Sequence, residues 1–378
     1  MAGSSSSDAH AGVRHLFVLS HGLHGRTEDL ASLVDTLDDM LSTHCRQATG
    51  GKYSVLNSAI NETKTRHGLL DCAKRLAREV GERLEQAADL GHQLRVSMIG
   101  YSMGGLVIRL AVGLLVEQGL LPQEHVQLVG YWSICTPHLG VRRPALGHWW
   151  NLPASAAAST VLGKSGRELM LRDNRKHPEK LPLLQALCEP DSTYMEGLRL
   201  FQKRTLVANT HFDVQVPFSS ASLRWCNPYP TPRRHFTKTH VKVVGFDGFI
   251  DHQEEQTIME RISDGFINMY AEDAAMENYP SPETLSTNKE QKDQNGELLI
   301  TPSMLHNLTA EGLEWRRVDC EVNSLLAHHI LIGRRKLLER LVSKPGQELP
   351  VLRALVKIML LDHDIPVPVG HEGDPFQD

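Results

Sequence analysis

The sequence predicts an α/β protein with a mostly parallel central sheet covered by helices on both faces. Strand-like runs such as RHLFVLSHG, KYSVLNSAI and LRVSMIG alternate with runs whose apolar residues recur at helical spacing, such as GLLDCAKRLAREVGERLEQA. The strand-like runs are largely apolar, as expected for strands buried on both faces. Alternation of this kind indicates parallel strands joined by helices.

The later elements continue the pattern less regularly. GGLVIRLAVGLLVEQG is a predicted helix, and VQLVGYWSICTPHLG is a strand that ends in a loop. KRTLVANT and HVKVVGF predict two further strands, and LLAHHILIGRRKLLERL and PVLRALVKIMLL are partly helical. The sequence shows no internal repeat.

We expect a single domain over residues 14–378, preceded by a polar, disordered lead-in at residues 1–13. The alternation fails at about residues 141–200, which predicts an inserted cap. Core packing is the favoured interpretation of Trp149 and Trp150 in this cap, and lining a pocket is the alternative. At about residues 272–297 the chain is polar and nearly free of large apolar residues, which predicts a flexible surface insertion.

Composition excludes several classes of protein. The chain is 41% hydrophobic and 22% charged with a net charge of -5, and without a basic excess we exclude nucleic-acid binding. Its six cysteines form no C-x-x-C pair, which argues against a zinc site or a disulfide framework and favours the cytoplasm. The sequence shows neither a signal peptide nor a transmembrane segment, and it predicts no cofactor or metal.

MIGYSMGGLVIR, residues 98–109, places Ser102 between Gly100 and Gly104 in a G-x-S-x-G pattern. A strand, a sharp turn with serine at its apex and a helix make up a nucleophile elbow. The small residues let strand and helix approach closely, and the helix N-terminus favours developing negative charge. A structural glycine turn is the alternative interpretation of the motif on its own.

Acyl transfer by a serine needs a base, an acid that orients the base, and two N–H donors for the oxyanion. One donor belongs to the residue after the serine, here Met103, and the other to an earlier loop at a strand end. SHGLHG, residues 20–25, is such a loop, and we assign the second donor to Leu23. The alternative is a glycine-rich turn around a hydrogen-bonded His21.

The acid and the base are expected to follow the serine in that order along the chain. Asp213, in VANTHFDVQVPFSSA, is the favoured acid because it follows a strand at the carboxyl edge of the sheet, where ligand chemistry is found. Four other aspartates remain alternatives. The first two lie in the predicted cap and the last two flank FDGFID: Asp173, Asp191, Asp247 and Asp251.

Among the 20 histidines, His328 in LLAHHILIG is the favoured base and His329 is the alternative. His240 opens an apolar strand and is more consistent with a structural role, and His252 lies at a charged helix start. SICTPHLG, which contains His138, is interpreted equally well as a pocket wall or as a rigid turn before the cap.

Taken together, these segments resemble the serine esterase and lipase family of intracellular α/β-hydrolases found in fungi, plants and protists. The matching segments occur in family order and include FVLSHGLHG, NETKTRHGLLDCAKRLAREV, SMIGYSMGGLVIR, SICTPHLG, SGRELMLRD, ANTHFDVQVPF and LLAHHILIG. The resemblance implies the α/β-hydrolase fold, with Ser102 as nucleophile, Asp213 as acid, His328 as base and Leu23 as a donor. Tyr101 departs from the family, in which histidine is common at that position. For SGRELMLRD the resemblance implies no catalytic role.

The resemblance implies a serine ester hydrolase that cleaves lipid or other hydrophobic acyl esters and needs no metal or organic cofactor. An acyltransferase with the same triad is an alternative, because both reactions share an acyl-enzyme. A non-catalytic protein that binds or scaffolds on this fold is the other alternative. A peripheral contact with a membrane or lipid droplet stays open, and the sequence indicates no oligomeric state.

Overall fold

A computed structural model of the protein describes residues 13–48, 52–141, 162–174, 180–224, 227–229, 241–247, 300–310, 312–334 and 349–367. The predicted lead-in except Val13, a large part of the predicted cap with Trp149 and Trp150, and the predicted polar insertion lie outside these residues. His240, Asp251 and His252 lie outside them as well.

The described strands form one sheet of seven strands in the order β2-β1-β3-β4-β5-β7-β6. Neighbouring strands are parallel except for β6 and β7, which are antiparallel. The prediction of a mostly parallel sheet is confirmed, although β7, the segment RRVDCEV, was not predicted as a strand. The strands are β1 (Val13–Ser20), β2 (Lys52–Ser58), β3 (Gln93–Tyr101), β4 (Val126–Ile134), β5 (Lys203–Asn209), β6 (Val241–Asp247) and β7 (Arg316–Val322).

Helices cover both faces of the sheet. Val96 and Met98 of β3 belong to one apolar core, and Ile99 and Tyr101 belong to another, because alternate residues of a strand point to opposite faces. Described helices are α1 (Ala31–Ala48), α2 (Leu69–Asp89), α3 (Met103–Glu117), α4 (Gly163–Leu169), α5 (Leu183–Ala186), α6 (Thr193–Arg199), α7 (Phe218–Ser222), α8 (Ile300–Leu308), α9 (Ala327–Ile330) and α10 (Leu349–Asp362).

The two cores differ in their helices. Side chains of α2, α3 and α6 pack in the first core, and those of α1 and α10 pack in the second. Of the helices that the structure describes, none has the length and hydropathy to cross a membrane.

The described part of the predicted cap contributes to the first core. Leu184 of α5 and Leu198 of α6 are buried among its side chains. Helix α6 lies so close to α3 that a Cβ on Gly113 would be 2.4 Å from the ring of Tyr194. These two short helices therefore extend the layer that covers α3.

Candidate active site

Ser102 lies at the turn between β3 and α3, with φ 54° and ψ -127°. A residue with a side chain rarely adopts this left-handed region, and such strain is common at functional sites. The Ser102 N–H donates to the carbonyl oxygen of Ile134 at the end of β4, at 2.8 Å, which holds the turn against the neighbouring strand. The geometry is the strand, sharp turn and helix that the sequence predicts.

Glycines are required around this turn because backbone segments touch there. A Cβ on Gly100 would lie 2.3 Å from Gly105 Cα, and one on Gly104 would lie 2.1 Å from the carbonyl oxygen of Ser20. Strand β1, β3 and α3 therefore meet at the serine.

The loop after β1 lies directly against the serine. A Cβ on Gly22 would be 2.9 Å from Ser102 Cβ and 3.3 Å from Ser102 Oγ, so Leu23 follows a residue in contact with the serine. Met103 is the first residue of α3, and the N–H groups of the first helical turn have no acceptor within the helix. The buried His21 ring has Nδ1 3.0 Å from the carbonyl oxygen of Gly22. The predicted oxyanion donors thus belong to two segments that flank Ser102.

The loop after β1, residues 20–25, is fastened to the segment that follows β2. We call it the oxyanion loop after the donor role predicted for Leu23. His24, at φ 56°, donates its N–H to Thr65 Oγ1 at 2.9 Å. The Ser165 hydroxyl of α4 donates to the carbonyl oxygen of Thr65 at 2.5 Å and accepts the N–H of Gly68 at 3.0 Å. SGRELMLRD therefore braces the loop that holds the oxyanion loop, a role that sequence reasoning did not assign.

Glu168 of α4 adds a further contact, to the start of α2. Its carboxylate accepts the N–H of Leu69, the first residue of α2, at 2.6 Å. Burial raises the pKa of Glu168 to about 7. The segment NETKTRHG and the start of α2 are thus both held by α4.

Asp213 and His328 form a buried hydrogen-bonded pair. His328 Nδ1 lies 2.8 Å from Asp213 Oδ2, and the two side chains are 2% and 4% exposed. The other carboxylate oxygen accepts the N–H groups of Gln215 and Val216, each at 2.9 Å. Burial raises the pKa of Asp213, but the hydrogen bond and charge of His328 and the bonds from Val216 and Asn209 outweigh it, so the pKa is lowered. Asp213 is therefore held as a carboxylate against the imidazole.

The three predicted catalytic residues follow the carboxyl ends of β3, β5 and β7, and these strands are parallel. The rings of Tyr101 and His328 have centroids 5.0 Å apart, which brings the base beside the residue preceding Ser102. In the described part of the chain, no hydrogen bond joins the Ser102 hydroxyl to the His328 ring. Such bonds are often long without substrate and tighten in the reacting complex.

Cys135 adjoins the pair, with Sγ within 4.8 Å of ligand atoms of Asp213 and His328. Burial and the charge of Asp213 raise the pKa of the Cys135 thiol well above its ordinary value. The thiol beside the pair is therefore held in its protonated form.

His329, the alternative base, has both ring nitrogens engaged. Nδ1 lies 3.1 Å from the hydroxyl of Tyr101, and Nε2 lies 2.8 Å from Gln215 Nε2. Burial and the charges of His328 and Arg334 lower the pKa of His329 to about 4. These contacts favour His328 as the base.

The described alternatives to Asp213 have other partners. Asp173 accepts the N–H of Leu183 at 2.8 Å, and Asp247 pairs with Arg224 and Arg317. Neither of them, nor Asp191, hydrogen-bonds a histidine among the described residues.

The structure also favours one interpretation of SICTPHLG. The His138 ring is completely buried, with Nε2 2.9 Å from the Ser133 hydroxyl and Nδ1 3.5 Å from Arg109. Burial and the charge of Arg109 lower the pKa of His138 well below its ordinary value. These contacts are those of a rigid turn with a neutral core histidine.

Curated relatives of the chain carry lipase names. The protein named "Putative lipase C4A8.10" from Schizosaccharomyces pombe is 28% identical over 225 residues, which cover 57% of this chain and 27% of that protein. "Putative lipase ROG1" from Saccharomyces cerevisiae is 26% identical over 211 residues, which cover 56% of this chain and 28% of that protein. The match thus spans about a quarter of these relatives' length.

Solved structures show more distant likenesses. "Phospholipase PlaB from Legionella pneumophila in complex with thio-NAD" aligns over 53% of this chain and 39% of that chain, with 14% identity and a TM-score of 0.32. "YbtT - Type II thioesterase from Yersiniabactin NRPS/PKS biosynthetic pathway" aligns over 56% and 79%, with 20% identity and a TM-score of 0.25. Likenesses this distant add nothing to what the fold itself shows.

The fold is that of an α/β-hydrolase. It joins a strand, a strained serine turn and a helix on a mostly parallel sheet, with a glycine loop from an earlier strand against the serine. Residues 11–227, more than half of the chain, match the family described as "Putative serine esterase (DUF676)". The chain therefore belongs to this serine esterase family.

Proposed function

We propose that the protein is a serine ester hydrolase that cleaves lipid or other hydrophobic acyl esters through an acyl-enzyme on Ser102. The observation that carries the proposal is the 2.8 Å hydrogen bond between His328 and Asp213, at the sheet edge where Ser102 lies in a strained turn. Membership of the serine esterase family supports a hydrolase. A binding protein that had lost catalysis would have no need of this buried, paired carboxylate.

Acylation uses four groups of the chain. His328 Nε2 takes the proton of the Ser102 hydroxyl while Ser102 Oγ attacks the ester carbonyl carbon. The carbonyl oxygen becomes an oxyanion and accepts the N–H groups of Leu23 and Met103. Asp213 accepts the Nδ1–H of His328, which fixes the tautomer that leaves Nε2 free to act as base.

Collapse of the tetrahedral intermediate breaks the bond to the alkoxy oxygen, and the His328 imidazolium gives its proton to the leaving alcohol. Ser102 then carries the acyl group as an ester. A water molecule gives a proton to His328 and attacks the acyl carbon, and a second collapse releases the carboxylic acid and restores the Ser102 hydroxyl.

Exposed apolar side chains beside the pair support a hydrophobic substrate. Val214 and Leu325 are each 59% exposed, one directly after Asp213 and the other shortly before His328. The same two residues support a peripheral contact with a membrane or lipid droplet. Free, buried thiols at Cys72, Cys135 and Cys188 support a reducing compartment such as the cytoplasm.

The proposal is tested by labelling the purified chain with a fluorophosphonate, which phosphonylates activated serines with loss of fluoride. We expect labelling of the wild type, none in Ser102→Ala, and a loss of at least about a hundredfold in rate in His328→Ala. Ser58→Ala is the matched control, because Ser58 ends β2 at the same sheet edge and bonds to Glu79. It should label like the wild type.

Other outcomes discriminate between the alternatives. A folded wild type that does not label, even with added lipid or detergent, would favour the binding or scaffold function. Labelling without release of free acid, but with transfer of the acyl group to an added alcohol, would favour an acyltransferase. Full labelling of His328→Ala would exclude His328 as the base.

A further inference from the structure

Tyr101 connects the nucleophile strand to the loop that carries the base. Its side chain is buried, and its ring packs against the His328 ring at a centroid distance of 5.0 Å. The Tyr101 hydroxyl donates to the main-chain carbonyl oxygen of His328 at 3.0 Å. The residue next to Ser102 in sequence therefore holds the backbone of the proposed base.

His329 lies against the same hydroxyl. Tyr101 has a single hydroxyl proton, and the carbonyl of His328 can only accept it. His329 Nδ1 lies 3.1 Å from that hydroxyl and 3.4 Å from Arg334 Nη1. Its Nε2 lies 2.8 Å from the side-chain amide nitrogen of Gln215. Burial and the charges of His328 and Arg334 lower the pKa of His329 to about 4, so the ring is neutral near pH 7.

Gln215 connects His329 to the proposed acid, Asp213. Its backbone N–H donates to Asp213 Oδ1 at 2.9 Å, while its side chain reaches His329. These contacts link three segments. Tyr101 belongs to the turn at Ser102, His329 to the loop that carries His328, and Gln215 to the loop that carries Asp213. Among the described residues, these contacts connect Tyr101 to both His328 and Asp213.

We propose that Tyr101 is a positioning residue for catalysis and that His329 is its partner rather than a second base. The inference rests on the proposed function and deepens it, because it concerns the placement of His328 Nε2 relative to Ser102 Oγ. Reaction rates depend steeply on such placement, since displacements of about 1 Å cost up to about a hundredfold. The Tyr101 side chain is buried and its hydroxyl bonds the loop that carries His328, so we expect the effect in kcat rather than in KM.

Tyr101→Phe removes the hydroxyl and keeps the ring. We expect kcat for a short-chain p-nitrophenyl ester to fall about ten- to thirtyfold, with KM unchanged within about twofold. Tyr131→Phe is the matched control, because Tyr131 is a buried tyrosine whose hydroxyl likewise donates to a main-chain carbonyl, that of Gly105, at 3.0 Å. It should lose comparable thermal stability while keeping kcat within about twofold.

Two substitutions at His329 test the partner. His329→Asn keeps a hydrogen-bonding group near the place of Nδ1 and should retain more of kcat than His329→Ala, which keeps none. If Tyr101→Phe and Tyr131→Phe have the same kcat, or if the Asn and Ala variants are equally slow, the positioning role is wrong. A folded wild type without labelling or hydrolysis would instead overturn the proposed function itself, which separates the two failures.

Discussion

Two serines, Ser97 and Ser102, lie five residues apart in the segment formed by β3 and the turn that follows it. Ser97, within β3, has its hydroxyl 2.7 Å from His363 Nε2, and His363 Nδ1 lies 2.9 Å from His15 Nδ1. Ser102, at the end of β3, lies at the sheet edge of the His328–Asp213 pair. By hydrogen-bond distance alone, the Ser97 cluster looks the better nucleophile site.

The surroundings of the two serines reverse that impression. Ser97 is completely buried, and in the part of the chain that the structure describes neither His15 nor His363 hydrogen-bonds a carboxylate. Burial and the charges of His15 and Arg95 lower the pKa of His363 well below its ordinary value, so the imidazolium that a catalytic base forms is disfavoured there. A Ser–His hydrogen bond alone is therefore insufficient. The second site has an orienting carboxylate, that of Asp213, on its histidine, and it is where we propose the oxyanion donors.

The largest expected difference between the two clusters is in turnover. Ser102→Ala should lower kcat for an ester substrate by about 10⁴-fold or more, because no nucleophile is left. Ser97→Ala should keep kcat within about twofold but lower the free energy of unfolding by about 1–3 kcal/mol, since His363 Nε2 loses its partner. Steady-state kinetics and urea unfolding measure both quantities. Equal loss of turnover in the two variants would contradict the comparison.

The orienting carboxylate is the next difference. Asp213→Asn should lower kcat by about 10⁴-fold, because the amide favours the wrong tautomer of His328. Asp247→Asn is the matched control, because Asp247 pairs with Arg224 and Arg317 and contacts no described histidine. A slow Asp247 variant beside a fast Asp213 variant would move the acid to Asp247.

The fold was largely predictable because strands and helices of an α/β protein carry local patterns. Strand β7 escaped prediction since Arg316, Arg317 and Asp319 interrupt its apolar residues. In the folded chain Arg316 pairs with Asp362 at 2.5 Å, and Asp319 pairs with Arg224 at 2.5 Å. Partners this distant in sequence make a charged strand compatible with the interior, and no local pattern shows them.

The residues of the candidate site differ in how far the sequence alone predicts their roles. The G-x-S-x-G motif predicts the role of Ser102 from the sequence alone. The position of Asp213 after a strand predicts that it lies at the carboxyl edge of the sheet. His328 and His329 are adjacent in sequence, so residue patterns left His329 open as an alternative to the favoured His328. Their three-dimensional contacts separate them, with Asp213 bonded to the first and Gln215 to the second. The brace of Ser165 on Thr65 depends on a contact across 100 residues and was equally invisible.

At acid pH the histidines near Ser97 should lower the free energy of unfolding. Burial, aided by the charge of Arg95, lowers the pKa of His15 to about 4 from 6.5, so between these values the unfolded chain binds a proton that the folded chain does not. This contribution to stability is complete above about pH 6.5 and is lost as the pH falls toward 4. At 1.36 kcal/mol per pKa unit, it amounts to roughly 3 kcal/mol.

Urea unfolding at pH 7 and pH 5 measures the part of this loss that falls above pH 5, about 2 kcal/mol for the roughly 1.5 pH units between 6.5 and 5. A His15→Phe and His363→Phe double variant replaces both partners with apolar rings and should flatten the pH dependence relative to the wild type. The lowered pKa of Asp213 acts only below its ordinary value of 3.8. Glu168 and His329, with pKa values of about 7 and about 4, do titrate in this window, but both are present in the wild type and in the double variant, so the difference between the two proteins isolates the His15–His363 pair. An equally steep pH dependence in the double variant would show that the His15–His363 pair is not its source.

The smallest expected effect concerns the contacts that support the oxyanion loop. Thr65→Val keeps the shape of the side chain but removes the acceptor for the His24 N–H, next to the proposed donor Leu23. Because this loosens one oxyanion donor without deleting it, kcat should fall roughly tenfold, less than the 10²–10³ typical of deleting such a donor. Thr36→Val is the control, since the Thr36 hydroxyl only bonds a carbonyl of its own helix, that of Ser32. If both variants keep full kcat at equal stability, the donor N–H of Leu23 does not depend on the brace, and the reactivity of Ser102 must come from the elbow and the base alone.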